Sequence, residues 1–291
     1  MQRRFGAQTS IADGLYRAFE RGINIGCDCL QVFVKNQRQW KADPISEQDI
    51  RAWRQAESQS GIGPVFAHDA YLINLASPDK TIWNKSIEAF VDELYRCEQL
   101  NIGWLVTHPG THGGKGEDWG IRRMADALDI IHSRTERLKV KTVLETTAGQ
   151  GNSIGHRFQH LAEIIQRTRN RDRLAVCFDT CHVFAAGYDL TSEKAYRATM
   201  TEFDKILGLS NLVCFHLNDS KKPFASRVDR HQHIGQGQMG YESFRLLVND
   251  PRFFGMPMII ETPKGIDDKG QDLDRINLAA LRKLIQNEGA E

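Results

Sequence analysis

Eight short apolar segments recur along this chain, each followed by a polar loop and a stretch of helical periodicity, and that rhythm leaves few folds open. They cover residues 5–7, 30–34, 65–67, 104–107, 142–144, 174–178, 212–215 and 258–260. Apolar residues at three- and four-residue intervals mark helices at 15–21, 81–100, 121–135, 160–169, 194–207, 241–248 and 273–286. Short buried strands alternating with helices build a parallel sheet, and eight such units predict an α/β fold closed into a (β/α)8 barrel. A doubly wound open sheet is the structural rival. It normally has fewer strands and, for a nucleotide, a Gly-rich first loop, which this chain lacks. A length of 291 residues suits one barrel and no low-complexity linker divides it, so a single domain over 1–291 is expected.

Composition narrows the partners. No apolar run nears the roughly 18 residues that a membrane helix needs, and no apolar core follows the N-terminal arginines, so a cytoplasmic chain with no membrane partner is expected. The net charge is +1, from 38 basic against 37 acidic residues. That balance neither advertises nor excludes nucleic acid, because steering depends on where the charge sits. The six cysteines form no Cys-x-x-Cys pair, and reduced thiols without disulfides are expected.

Chemistry gathers where the apolar segments end. His68 follows the third, His108 the fourth and Glu145 the fifth; Asp179 follows the sixth, with His182 three residues on. His216 ends the seventh, Asp229 and His231 lie in its loop, and Glu261 ends the eighth. Asp229, His231 and His233 alternate with Arg230 and Gln232, which in extended backbone puts all three on one face. The long loops 109–119 and 218–240 exceed ordinary connections and are candidates for function. One polar strand end is unremarkable; a histidine there is more often a hydrogen-bonded core residue. Six strand ends in register are another matter, because barrel active sites are built at that end and unpaired buried charge is expensive. One zinc takes about four ligands, so these nine donors suit two or three ions, an arrangement fitted to phosphoryl transfer.

Longer motifs resemble a known family. The runs Phe178-Asp179-Thr180-Cys181-His182, His216-Leu217-Asn218-Asp219-Ser220-Lys221 and Asp229-Arg230-His231-Gln232-His233 are similar to signatures of the endonuclease IV family of abasic-site DNA repair enzymes. So are Glu261-Thr262-Pro263-Lys264 and Lys35-Asn36-Gln37-Arg38-Gln39-Trp40, and the resemblance spans essentially the whole chain. It implies a xylose-isomerase-like TIM barrel with three zinc ions per chain, manganese being acceptable at some positions. By that resemblance His68, His108 and Glu145 would hold the first ion. Glu145 would bridge to a second held by Asp179, His216 and Glu261, and His182, Asp229 and His231 would hold the third. Glu145 and Glu261 would be catalytic through the ions they hold. A hydroxide between the first two ions would cut duplex DNA 5′ to an abasic nucleotide, leaving a 3′-hydroxyl and a 5′ deoxyribose phosphate, with trimming of blocked 3′ ends as a further activity. Arg38, Tyr71 and Leu72 would enter the duplex, with Lys221, Lys222, Arg227 and Arg230 on phosphates, and the enzyme would work as a monomer.

From the residues alone, Tyr71-Leu72-Ile73 reads as buried core; only the resemblance assigns it to DNA. Cys181 is expected to face the barrel wall without a catalytic role. The chain departs from the family pattern at Gln8, where histidine is usual, and at Asp69, whose carboxylate is expected to alter the loop or repel a phosphate. It departs again at Thr146, in place of asparagine, and at Ala225, in place of glycine. Metal-dependent sugar isomerases and epimerases share the barrel, but they need one or two ions and lack the third donor set. A damage-binding protein without turnover would have lost ligands, and none is missing here.

Overall fold

A computed structural model describes residues 3–286 of the chain. All eight apolar segments are strands. They are β1 (Arg4–Gln8), β2 (Cys29–Phe33), β3 (Val65–His68), β4 (Trp104–Thr107), β5 (Lys141–Glu145), β6 (Leu174–Asp179) and β7 (Leu212–His216). After a small antiparallel ladder of β8 (Asp219–Ser220) and β9 (His231–Gln232) comes the last, β10 (Pro257–Ile260). The eight longer strands pair in parallel in sequence order and β1 closes on β10, which leaves the barrel no open edge. The barrel expectation holds, and an open sheet is excluded.

Nine helices lie among the described residues: α1 (Arg17–Ile25), α2 (Glu47–Ser60), α3 (Lys80–Gln99), α4 (Glu117–Arg134), α5 (Phe158–Arg167), α6 (Thr180–Ala186), α7 (Glu193–Leu207), α8 (Gly240–Val248) and α9 (Leu273–Lys283). Two of them, α2 and α6, are additions to the periodic stretches. Helix α2 buries only Trp53, so it has no apolar stripe to read. Ser46 caps it by accepting from the Asp49 amide, and the Trp53 indole donates to the Leu100 carbonyl at 2.9 Å. Helix α6 follows β6 without a loop, because the Asp179 side chain caps it by accepting from the His182 amide at 2.8 Å.

Strand alternation sets the layers. Side chains turned outward meet the helices in the main apolar core, with Phe19, Trp53, Phe90 and Phe203 among the largest. Side chains turned inward, including Cys29, Phe66, Val143, Cys177, Cys214 and Ile259, plug the barrel. Two residues further along each strand, on the same face, stand Gln31, His68, Glu145, Asp179, His216 and Glu261. The apolar plug is therefore the floor of a polar ring at the carboxyl ends of the strands. All six cysteines are buried and free. Among the described residues no helix is long and apolar enough to cross a membrane.

Candidate metal centre

Glu145, fully buried at the end of β5, is the hub of the ring. Its Oε2 lies 3.3 Å from both His68 Nε2 and His108 Nε2. Its Oε1 lies 3.0 Å from His216 Nδ1 and 3.2 Å from His182 Nδ1. One carboxylate thus faces two groups of imidazoles, one with each oxygen. Glu261 Oε2 is 3.2 Å from the same His216 Nδ1, and Asp179 Oδ2 is 4.0 Å from it. On the far side Asp229 approaches His182 Nε2 at 3.1 Å and His231 Nε2 at 3.4 Å. The nine donors named from the sequence therefore converge, with those of His68, His108 and Glu145, and those of His182, Asp229 and His231, each within 4.8 Å of one another.

The hydrogen bonds decide which ring nitrogens are free. His68 Nδ1 donates to the Asp69 carbonyl at 2.9 Å, His182 Nδ1 to the Thr146 carbonyl at 2.8 Å, and His231 Nδ1 to the Glu261 carbonyl at 3.2 Å. His216 is reversed, its Nε2 donating to the Gln31 side-chain oxygen at 2.8 Å. In a neutral imidazole the other nitrogen then carries a lone pair. Those lone pairs point at carboxylate oxygens and, between His182 and His231, at each other across 3.4 Å. Lone pairs aimed at anions repel unless positive charge lies between them, and this donor set of imidazole and carboxylate fits zinc and similar divalent ions.

The electrostatics of the ring show the same surplus of acceptors. Burial alone would lower His68, His182 and His216, yet the adjoining carboxylates hold all three well above the ordinary imidazole value. Burial opposes charge on Glu145, but the surrounding imidazoles hold it well below the carboxylate range. Glu261, only slightly exposed, is drawn down to about 2 by His216, whereas burial dominates at Asp179 and raises it.

Several expectations change. His233 leaves the set: β9 ends at Gln232, and His233 Nδ1 accepts from the Asn277 amide at 3.0 Å. Cys181 stands closer than foreseen, its sulfur within 4.8 Å of donor atoms of Asp179 and His231, although burial pushes the thiol up to about 12. Asp69 does not face the mouth; it is buried and accepts from the Thr107 hydroxyl at 2.6 Å. Thr146 supports the site, its hydroxyl accepting from the Asp179 amide at 2.9 Å. Ala225 takes a left-handed backbone, φ 56°, a conformation that glycine holds without strain. Reading 71–73 as core fails at Tyr71, which is 67% exposed and stands edge-on to Phe33 at 5.3 Å. Leu72 is half-buried, and Arg38, Lys221, Lys222, Arg227 and Arg230 are at least partly exposed.

Sequence reasoning misses three supporting residues: Gln31, Asn218 and Asp219. Asn218 donates to Asp179 Oδ2 at 2.7 Å and accepts from the Glu261 amide at 2.8 Å, tying two donors together. A polar side chain inside the apolar run of β2 is the one available signal for Gln31. A second histidine group, Glu117, His156 and His160, lies outside the ring. There Arg157 already supplies the cation, pairing with Glu117 and donating to His160 Nε2 at 2.8 Å.

Comparison with known proteins gives the family. The chain matches the family described as xylose isomerase-like TIM barrel over residues 19–284. A protein of Chloroflexus aurantiacus named probable endonuclease 4 is 52% identical over 288 residues, 99% of each chain. The crystal structure of endonuclease IV from Thermus thermophilus superposes with a TM-score of 0.83 at 32% identity, covering 97% of this chain and 98% of that one. A D-tagatose 3-epimerase-like protein shares the barrel at TM-score 0.72, with 17% identity over 97% of this chain and 96% of its own, which is likeness of fold alone. With half of its residues shared along the full length of such relatives, and with this ring at the mouth of its barrel, the chain belongs to the endonuclease IV family of xylose isomerase-like TIM barrels.

Proposed function

We propose that this chain is a DNA repair endonuclease that hydrolyses the phosphodiester bond 5′ to an abasic site in duplex DNA, leaving a 3′-hydroxyl and a 5′ deoxyribose phosphate. The observation that carries the reading is the ring of imidazole lone pairs turned on Glu145, Glu261, Asp179 and Asp229, in a chain of this family. Three zinc ions fit the nine donors. His68, His108 and Glu145 would hold one; Glu145, Asp179, His216 and Glu261 the next; His182, Asp229 and His231 the third. Such ions, when bound, lower the pKa of water and neutralise charge on a phosphate under attack.

The chain's own residues do the rest. Glu145 keeps its two oxygens on separate groups of imidazoles and so fixes the spacing of adjacent sites. His108 and Asp229 are the more open donors and border a hollow of about 210 Å³, where a phosphate has access from solvent. Exposed Tyr71 and Arg38, with half-buried Leu72, would fill the gap left by an extruded nucleotide. Lys221, Lys222, Arg227 and Arg230 line the loop beside the mouth as phosphate contacts. Trimming of blocked 3′ ends uses the same site, and the reading includes one domain acting as a monomer in the cytoplasm.

The test is a duplex oligonucleotide carrying one abasic site, incubated with the protein before and after prolonged chelation, beside elemental analysis of the same sample. Cleavage 5′ to the lesion, abolished by chelation and accompanied by about three zinc ions per chain, is expected. An intact oligonucleotide with a fully metallated protein would refute the nuclease reading.

A further inference from the structure

The polar ring at the barrel mouth has eight places, one per strand. Strands β3 to β7 and β10 fill theirs with the imidazoles and carboxylates described above. The two remaining strands, β1 and β2, contribute Gln8 and Gln31, which are paired across the ladder in register. Gln31 is fully buried, and its amide is fully used. Its oxygen accepts from His216 Nε2 at 2.8 Å. Its nitrogen donates to Glu261 Oε1 at 2.6 Å and to Gln8 Oε1 at 2.9 Å.

This geometry does three things together. Accepting from Nε2 fixes the His216 tautomer and leaves Nδ1 as the lone pair facing Glu145 and Glu261. Donating to Glu261 Oε1 turns the other carboxylate oxygen, Oε2, toward the same point. Gln8 takes up the second amide hydrogen, and a flipped Gln31 would lose that bond and set its oxygen against Glu261 Oε1. The other three ring-orienting bonds end on backbone carbonyls, of Asp69, Thr146 and Glu261, and no substitution removes those acceptors. Of the four, His216 alone has no backbone carbonyl as its acceptor, whereas His68 Nδ1 has the Asp69 carbonyl at 2.9 Å besides Asp69 Oδ1 at 3.3 Å. The free nitrogen of His216 is also the opposite one.

We infer that Gln31, locked by Gln8, is a positioning residue that sets the tautomer of His216 and the orientation of Glu261 for the ion they share. The inference rests on the metal-centre reading above. Removing an outer partner of a ligating imidazole typically costs about 10- to 100-fold in metal affinity, and here the cost falls on one site of the three.

The experiment compares zinc-loaded parent, Gln31→Met and Gln8→Leu proteins by the rate at which a chromophoric chelator removes each equivalent of zinc. ¹⁵N-NMR of the labelled, loaded proteins reports which His216 nitrogen bears the proton. Gln31→Met is expected to make one equivalent labile by about 10- to 100-fold and leave the others at parental rates, with the Nε2 proton signal of His216 lost or exchange-broadened. Gln8→Leu keeps the two bonds to the ligands, so it is expected to move the same equivalent less; it also stands if Gln31→Met does not fold. Chelation curves that match the parent's in both variants overturn the inference while leaving the metal centre intact. Uniform weakening of all equivalents together with a lower melting temperature overturns it too, since that marks a merely structural residue. A parent that takes up no divalent ion defeats the metal-centre reading first, and this inference with it.

Discussion

His132 and His182 show how one side chain takes opposite electrostatic roles according to what surrounds it. His182 is buried among carboxylates and is held well above the ordinary imidazole value despite burial, with its Nε2 turned on Asp229 at 3.1 Å. His132 is equally buried but has only the Thr142 hydroxyl at 3.2 Å as a partner, and its Nδ1 has none. Burial, with some help from Arg173, lowers it from 6.5 to about 4. The unfolded chain therefore takes up that proton first as pH falls. Its contribution to stability is complete above 6.5, declines between 6.5 and about 4, and is spent below that. The shift is worth on the order of 3 kcal/mol. In urea titrations of metal-free protein, His132→Gln should lose less stability than the parent between pH 7 and pH 4.5. Parallel losses in the two proteins would remove His132 as the cause. The pH signature of proposed ligands such as His182 belongs instead to metal uptake, which would have to release their protons.

At the scale of elements, the segment between β7 and β10 matters most, because it brings Asp229 and His231 to a barrel whose strands do not contain them. The ladder of β8 with β9 holds its base, pairing Ser220 with His231, and the Lys221 amide donates to the Arg230 carbonyl at 2.9 Å. Asp219 pins the rest. Its carboxylate accepts from the amides of Ser220, Gly237 and Met239 at 2.7, 2.9 and 3.0 Å. A Cβ at Gly237 would overlap that carboxylate and the Ser220 carbonyl, so the approach requires glycine. Asp219→Ala leaves three amides without their acceptor, at a cost of about 1–3 kcal/mol each where water cannot replace it. The expected outcome is a folded barrel that has lost the ion assigned to His182, Asp229 and His231, seen as about one zinc fewer per chain, with abasic-site cleavage reduced at least about tenfold. Unchanged zinc content and cleavage would show that the ladder alone holds the segment. Helix α6 works at the same scale: the Asp179 oxygen that caps it fixes the rotamer that presents the other oxygen to the ring.

The whole molecule separates stability from function by layer. The apolar plug and the helix-facing core do not involve the ring, so chelation should leave far-UV circular dichroism essentially unchanged while cleavage is lost. The ring itself holds carboxylates and imidazoles whose mutual repulsion bound ions would relieve, and ions that bind only the folded chain would stabilise it. Each filled site adds about 2.7 kcal/mol at a hundredfold excess over its dissociation constant. Zinc loading should therefore raise the melting temperature by several degrees, and an unchanged melting temperature with full zinc uptake would count against a buried centre. Much of this architecture was legible in the sequence. Strand period, strand count and the polar residue closing each of six strands follow from side-chain alternation and short apolar runs, which are local properties. Helix α2 was not legible, because a helix that buries one tryptophan has no stripe. Neither was the exposure of Tyr71, since a solvent-facing aromatic and a buried one read alike. The sequence by itself determined a barrel and nine donors in a family pattern. Only closure of the sheet decided which oxygen of Glu145 faces which imidazoles, which nitrogen of each ring is free, and that Gln31 on β2 reaches His216 on β7, since those partners meet only across the ring.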